Sequence, residues 1–318
     1  MPTEYDLIVS SGELLDPAQG LRARLDVAFK DGRVAVVAAD IPGGSARATV
    51  DASGKLVVPG LIDFHGHYAY RISPFRADPD PTNLPIGVTT AVDAGTTGWI
   101  NFPAFRAYVI ERAVTRLYAF IHLSSVGTFL VHAGRAMDVP LADLGDFRFA
   151  KRDKAAACIQ ENRDVLLGVK VRLGANGTGH DNAVPALKMA RDIAQETGTR
   201  VMVHVFESPL PLAQVFEHLA PGDIITHALH GDTQNILDID GRVRPEVWSA
   251  YRTGIIFDTG CYAGHFSLPV SRAAVEQGLL PHTLSTDAVG LDHPTRSNNY
   301  DLLGIMSMFL ALGMPLEE

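Results

Sequence analysis

From Val57 onward one pattern repeats and leaves few folds open: a short apolar strand rich in β-branched residues, then a longer stretch, then another strand. The strands read LVVPGLIDFH, GVTTAVDAG, RLYAFIHLS, LLGVKVRL, RVMVHVF, DIITHAL, GIIFDTG and HTLSTDA. Among the intervening stretches, FPAFRAYVIERAVT, AVPALKMARDIAQETG and PLAQVFEHLA carry helical spacing, the second closing on Gly198 as a helix end does. Eight strands with intervening helices over roughly 260 residues match the size of a single parallel (β/α)8 barrel. A doubly wound sheet satisfies the same count, because counting strands does not prove closure. Before Val57 the chain reads as strands and turns, YDLIVSSG, LDVAFKDGRVAVVAA with its Asp31-Gly32 hairpin signal, and ATVDASGKLVVPG. The expectation is an α/β chain, with a small β subdomain over 1–56 and the barrel over 57–318.

The chain of 318 residues, 47% hydrophobic and 20% charged, has the composition of an ordinary globular protein rather than a disordered one. Its 36 acidic and 27 basic residues give a net charge of -9, which repels phosphate backbones and anionic membrane surfaces, so neither nucleic acid nor a membrane is an expected partner. Cys158 and Cys261 are too few for a disulfide scaffold. The start, MPTEYDLIVSSGELLDP, lacks the basic and apolar regions of a secretory signal, and no apolar run reaches the length of a membrane span. The expected compartment is the cytoplasm and the expected partner a small molecule.

Chemistry is suggested where the strands end. His65 and His67 close PGLIDFHGH, and a two-residue spacing on a strand puts both imidazoles on one face, where they can share a metal. Alone the pair says little, since 12 histidines in this chain give roughly 0.5 such pairs by chance. His204 in VMVHVF and His227 in DIITHAL also close apolar strands, and Asp287 closes TLSTDA. In a parallel barrel all C-terminal strand ends converge on one mouth, so these side chains meet there, and imidazole and carboxylate suit zinc and similar divalent ions. In LLGVKVRL, Lys170 and Arg172 point inward if Val169 and Val171 face the helices; an exposed edge strand with two solvated bases is the plain alternative. A buried lysine loses proton affinity, and a neutral amine adds carbon dioxide to form an anionic carbamate able to bridge two cations. His230 and His265 lie in loops after strands, where barrels make substrate contacts. The remaining histidines, His122 and His293 among them, read as ordinary surface or core residues.

With these residues in place the sequence resembles the amidohydrolase superfamily, and within it the dihydroorotase-like deacetylase subgroup. VVPGLIDFHGH, GVTTAVDAGTTG, GVKVRL, VMVHVFESP, PGDIITHALHG, FDTG and LSTDA follow the family's order over most of the chain from Val57 onward. The resemblance implies two divalent ions, zinc by expectation. It puts His65, His67 and Asp287 on one, His204 and His227 on the other, and Lys170, carboxylated by carbon dioxide, between them. It implies hydrolysis of an amide, or of an ester, by a hydroxide held between the ions, with Asp287 collecting its proton and passing it to the leaving nitrogen. Arg172 is a candidate for binding a substrate carboxylate, or equally a structural bridge to a barrel carboxylate such as Asp93.

Three departures bear on specificity and assembly. After FDTG the family pattern has a histidine and later a serine, where this chain has Cys261 and His265 in CYAGHF; after LSTD the usual Leu-His is Ala288-Val289. Both loops line the expected pocket, so a cyclic-amide hydrolase or a deaminase using the same site stands as the alternative activity. A catalytically silent barrel serving assembly is the alternative from another class, and retention of all six ligand positions argues against it. The chain stops at LGMPLEE, where the resemblance implies further strands pairing with the N-terminal β region. An incomplete β subdomain is therefore expected, with an apolar seam that invites homo-oligomer formation.

Overall fold

The computed structural model describes residues 3–74, 77–262, 264–290 and 301–317. Its contacts divide into two units, one of residues 1–61 with 315–318 and one of residues 62–314. His293 lies outside the described residues.

In the first unit, alternating segments form β1 (Tyr5–Ser10), β2 (Glu13–Asp16), β3 (Leu21–Arg24), β4 (Asp26–Lys30), β5 (Arg33–Ala38), β6 (Ala46–Asp51) and β7 (Leu56–Val57). They make two sheets, in the orders β5-β4-β1-β6 and β3-β2-β7. Asp31 and Gly32 join β4 to β5 with φ of 51° and 71°, both in the left-handed region that a tight two-residue hairpin needs.

The second unit begins within β8 (Leu61–Gly66) and continues through β9 (Val88–Ala94), β10 (Arg116–His122), β11 (Leu166–Arg172), β12 (Arg200–His204), β13 (Ile224–Thr226) and β14 (Ile256–Asp258). These seven strands lie side by side in chain order. Each adjacent pair from β9 to β14 is parallel. The eighth segment, HTLSTDA, is not a continuous strand, yet it closes the ring. Thr283 bridges Asp258 and Ala288 bridges Gly66, both in parallel. Asp287 N–H donates to His65 O (2.7 Å) and His67 N–H to Ala288 O (2.8 Å). Buried Asp63 at the base of β8 accepts from both the backbone N–H (3.1 Å) and the hydroxyl of Thr286, fixing the residue before Asp287. These bonds across the seam make the fold a barrel and not an open doubly wound sheet.

The barrel floor is apolar, with Val92, Ala94, Phe120, Met202 and Ile224 packed together. Strand register sets the layers above it. Arg172, His204, Thr226 and Asp258 pair in succession across β11 to β14, and His122 pairs with Lys170. Val169 and Val171 are fully buried on the opposite face of β11, as the alternation in LLGVKVRL requires.

Helices account for less of the chain than the sequence pattern suggests. Ala183–Thr197 forms as expected, burying Ala186, Leu187, Ala190 and Ile193 and stopping at Gly198 with φ 66°. FPAFRAYVIERAVT is α-helical only over Phe102–Phe105 and then widens, with Glu111 N–H reaching back five residues to Arg106 O (3.0 Å). In PLAQVFEHLA the helix is Leu212–Phe216 alone, and beyond it the buried Asp223 carboxylate accepts from the N–H of Ala220 (2.8 Å) and of Val201 (2.9 Å). No helix among the described residues is long and apolar enough to cross a membrane.

Candidate metal centre

At the C-terminal mouth of the barrel, His65 and His67 at the end of β8 meet Asp287 from the closing segment. Their ligand atoms, one from each residue, lie within 4.8 Å of one another. His67 Nε2 is 3.0 Å and His65 Nε2 3.4 Å from Asp287 Oδ1. A second group, His204, His227 and His265, meets the same distance limit. Asp287 joins the two, its Oδ2 lying 3.8 Å from His227 Nε2 and 3.6 Å from His265 Nδ1. His227 and Asp287 both adopt left-handed backbone, φ 60° and 54°. Such a conformation costs about 1–3 kcal/mol per residue and persists only where surrounding bonds hold it.

The far side of each imidazole determines what the near side offers. Thr96 donates its hydroxyl proton to Asp93 (2.7 Å) and so accepts from His67 Nδ1 (2.8 Å). Thr226 donates to Asp258 (2.6 Å) and likewise accepts from His65 Nδ1 (2.5 Å). Gly260 O can only accept, and it takes the Nδ1 proton of His227 (2.7 Å). Three rings are therefore held with the proton on Nδ1 and with Nε2 turned toward the cluster, the orientation that a second shell imposes on metal-binding histidines. Burial, with Lys170 nearby, pushes the His65 imidazole down to about 4. Burial also pushes His204 and His227 well below the usual histidine range, so these rings are neutral at pH 7. Burial opposes the charge of Asp287, but the imidazoles around it, His65 foremost, hold its carboxyl well below the usual carboxylate range. Imidazole nitrogens and a carboxylate thus converge in one buried cluster, a donor set that suits divalent cations.

Lys170 borders the same cavity, buried to 2% exposure, and its Nζ has no hydrogen-bond partner. Burial pushes it down to about 7. Arg172 does not reach Asp93. Its guanidinium grips Asp143 through Nε (2.8 Å) and Nη2 (2.7 Å) and Asn176 O through Nη2 (2.8 Å). His265 faces the metal-ligand cluster, whereas His230 is fully buried, with Phe206 beside it (ring centroids 5.6 Å apart) and Asp232 N–H on its Nδ1. His230 does not border the cavities at the mouth.

Sequence reasoning passed over several residues that the fold brings here. His122 ends β10 and borders the inner cavity, with Ser124 N–H on its Nδ1 (2.9 Å) and Asp143 Oδ2 3.7 Å from its Nε2. It carried the same strand-end signal as His204 and His227. Arg135 borders the outer cavity, which shares Arg172, His204, His265 and Asp287 with the inner one. Cys261, standing where the resemblance leads one to expect a histidine, is buried and its thiol is pushed far up by burial, which makes it a poor nucleophile or ligand.

Known proteins resemble the chain as a whole. The chain is 34% identical over 288 residues to a deacetylase of Agrobacterium fabrum, covering 91% of this chain and 68% of that protein. A deacetylase of Enterococcus faecalis is 30% identical over 318 residues, covering 99% of this chain and 81% of the relative. The chain belongs to the amidohydrolase superfamily. Solved structures of an adenine deaminase and of a dihydroorotase each superpose on 98% of this amidohydrolase with a TM-score of 0.85, at 29% and 30% identity, and cover 80% and 79% of those chains. No protein-family model matches the chain. The amidohydrolase is a metal-dependent hydrolase of carbon–nitrogen bonds.

Proposed function

We propose that this amidohydrolase removes an acyl group, acetyl in the simplest case, from the nitrogen of a small carboxylate-bearing substrate, with acetyl esters as secondary substrates. The deacetylase names of the relatives matched over the greatest length support the reaction type. The observation that carries the site is the convergence on the Asp287 carboxylate of imidazoles whose Nδ1 atoms are tied back to the fold. In this reading His65, His67 and Asp287 hold one zinc ion, and His204 and His227 hold a second. Lys170, whose neutral Nζ is the form that adds carbon dioxide, would supply an anionic carbamate as a further ligand. Ions so held supply Lewis acidity and lower the pKa of water.

The chain's own groups then have distinct tasks. Asp287, facing both groups of histidines, takes a proton from the attacking water and returns it to the leaving nitrogen. Arg172 is committed to Asp143, so it stiffens the cavity wall and leaves one edge of its guanidinium toward substrate. Arg135, which has no ion-pair partner among the described residues, supplies the cation for the substrate carboxylate. His230, packed behind Phe206, supports the wall rather than touching substrate. Two buried free thiols accord with a reducing cytoplasm, and a net charge of -9 with small-molecule rather than nucleic-acid partners.

Metal analysis of protein purified without chelator, combined with a panel of N-acetyl amino acids, acetyl esters, cyclic imides and lactones, tests this reading. The expected result is about two zinc equivalents per chain and turnover led by N-acetyl amino acids. One equivalent after full zinc and bicarbonate supplementation overturns the binuclear site, and turnover confined to cyclic imides overturns the deacetylase assignment.

A further inference from the structure

We infer that His265 is itself a metal ligand, completing a three-imidazole set with His204 and His227; the inference rests on the binuclear reading above. The ligand nitrogens of these three residues lie within 4.8 Å of one another, the same limit that the ligand atoms of His65, His67 and Asp287 meet. The His265 ring stands 4.6 Å from that of His227 and 5.1 Å from that of His204. Its Nδ1 is buried, lies 3.6 Å from Asp287 Oδ2 and has no hydrogen-bond partner. A buried nitrogen aimed into a cluster of lone pairs and left unsatisfied is costly unless a proton or cation completes it.

The fold holds this ring in place instead of leaving it on a loose loop. Phe206 packs against it at 4.6 Å and Tyr262 at 5.2 Å between ring centroids. The His265 N–H bonds Tyr262 O (2.9 Å), and Gly264 before it has φ 93°, a conformation other residues rarely adopt. Two residues on, Ser267 N–H is tied to Leu229 O (2.9 Å), and the Ser267 hydroxyl caps the helix Leu268–Glu276. Three imidazoles and one shared anion would make four donors, a shell that zinc accepts and can expand to five when water or substrate binds. The second ion is then held more tightly than two histidines alone allow. Substrate enters on the side of Arg135 and Arg172, in the outer cavity that His265 also borders.

Zinc affinity separates a ligand from a substrate contact, because a substrate contact has no bearing on metal uptake. Metal-free wild type, His265→Phe and His265→Ala are titrated with zinc against a chromophoric chelator in the presence of bicarbonate, and cobalt-loaded samples are compared by visible absorption. His265→Phe keeps a ring against Phe206 and Tyr262 but removes the nitrogen. Both variants are expected to take the first equivalent as the wild type does. The second should weaken by about 10- to 100-fold or more, the loss that removing even an outer partner of a ligand causes, with a changed cobalt spectrum. Wild-type affinity for both equivalents in a folded His265→Phe overturns the inference while leaving the binuclear reading intact. A wild type that binds only one equivalent overturns both.

Discussion

Reloading the emptied site at different pH values tests the role of Lys170 most directly. Its Nζ is buried without a partner, and burial lowers it from 10.5 to about 7. At about 1.4 kcal/mol per unit, that drop is a preference of about 5 kcal/mol for the neutral amine. The sign follows from linkage. The folded value lies below the unfolded one, so the unfolded chain binds the extra proton between about 7 and 10.5. Stability of the metal-free protein therefore rises with pH across that window, and this contribution is lost as pH falls toward 7. Only the neutral amine adds carbon dioxide, so the reactive fraction falls about tenfold per unit below 7 and levels off above it. In the assay, metal and carbon dioxide are removed, zinc is added at a fixed concentration of dissolved carbon dioxide, and uptake of the second equivalent is followed from about pH 5.5 to 8.5, a span bracketing the Lys170 transition. Lys170→Ala serves as the reference, since pH dependence that it shares with the wild type belongs to other groups. Its second equivalent should be low and insensitive to carbon dioxide, and acetate or propionate should restore part of it by filling the vacated position. Uptake in the wild type that matches Lys170→Ala at every pH, or that is unchanged without carbon dioxide, refutes the reasoning.

Three further perturbations address separate parts of the site. Asp287→Asn keeps the shape and one ligating oxygen but cannot take a proton; kcat is expected to fall by about 10² to 10⁴ with much of the metal retained, as steady-state kinetics with metal analysis will show. An unchanged kcat at full occupancy places the proton transfer elsewhere. Gly260→Ala builds a Cβ 2.5 Å from His227 Nδ1 at a residue with φ 51°, so it should displace His227 and weaken the second ion selectively, read by zinc titration. Arg135→Ala should raise KM for carboxylate-bearing substrates by about tenfold or more with little change in kcat, the signature of lost ground-state binding, and should leave neutral amides unaffected.

The six proposed ligands were legible in the sequence because each sits at or near the C-terminal end of an apolar, β-branched run. On a strand the period of two assigns a face, and parallel order assigns an end; HGH, the VKV of LLGVKVRL, VMVH, IITH and LSTD needed no distant partner to be read. Lys170 is the clearest case, since the flanking valines alone directed it inward. His122 has the same signal in AFIH, yet it reads in the sequence as an ordinary surface or core residue.

Long-range packing decided the rest. Closure depended on bonds between residues more than 200 positions apart, such as Thr286 with Asp63, and the closing segment lacks the regular pleat that periodicity detects. The tautomers of His65 and His67 are set by Thr226 and Thr96, whose hydroxyls point as they do because Asp258 and Asp93 accept from them. Arg172 reads in the sequence equally as a substrate contact or as a bridge to a carboxylate, and the carboxylate that holds it is Asp143, 29 residues away. His230 and His265 both looked like loop residues after strands, yet Phe206 separates one from the mouth while a turn ending at His265 carries the other into it. Strand-borne positions follow from local alternation, which the sequence states directly, whereas loop-borne positions and second-shell partners depend on which distant segments pack together.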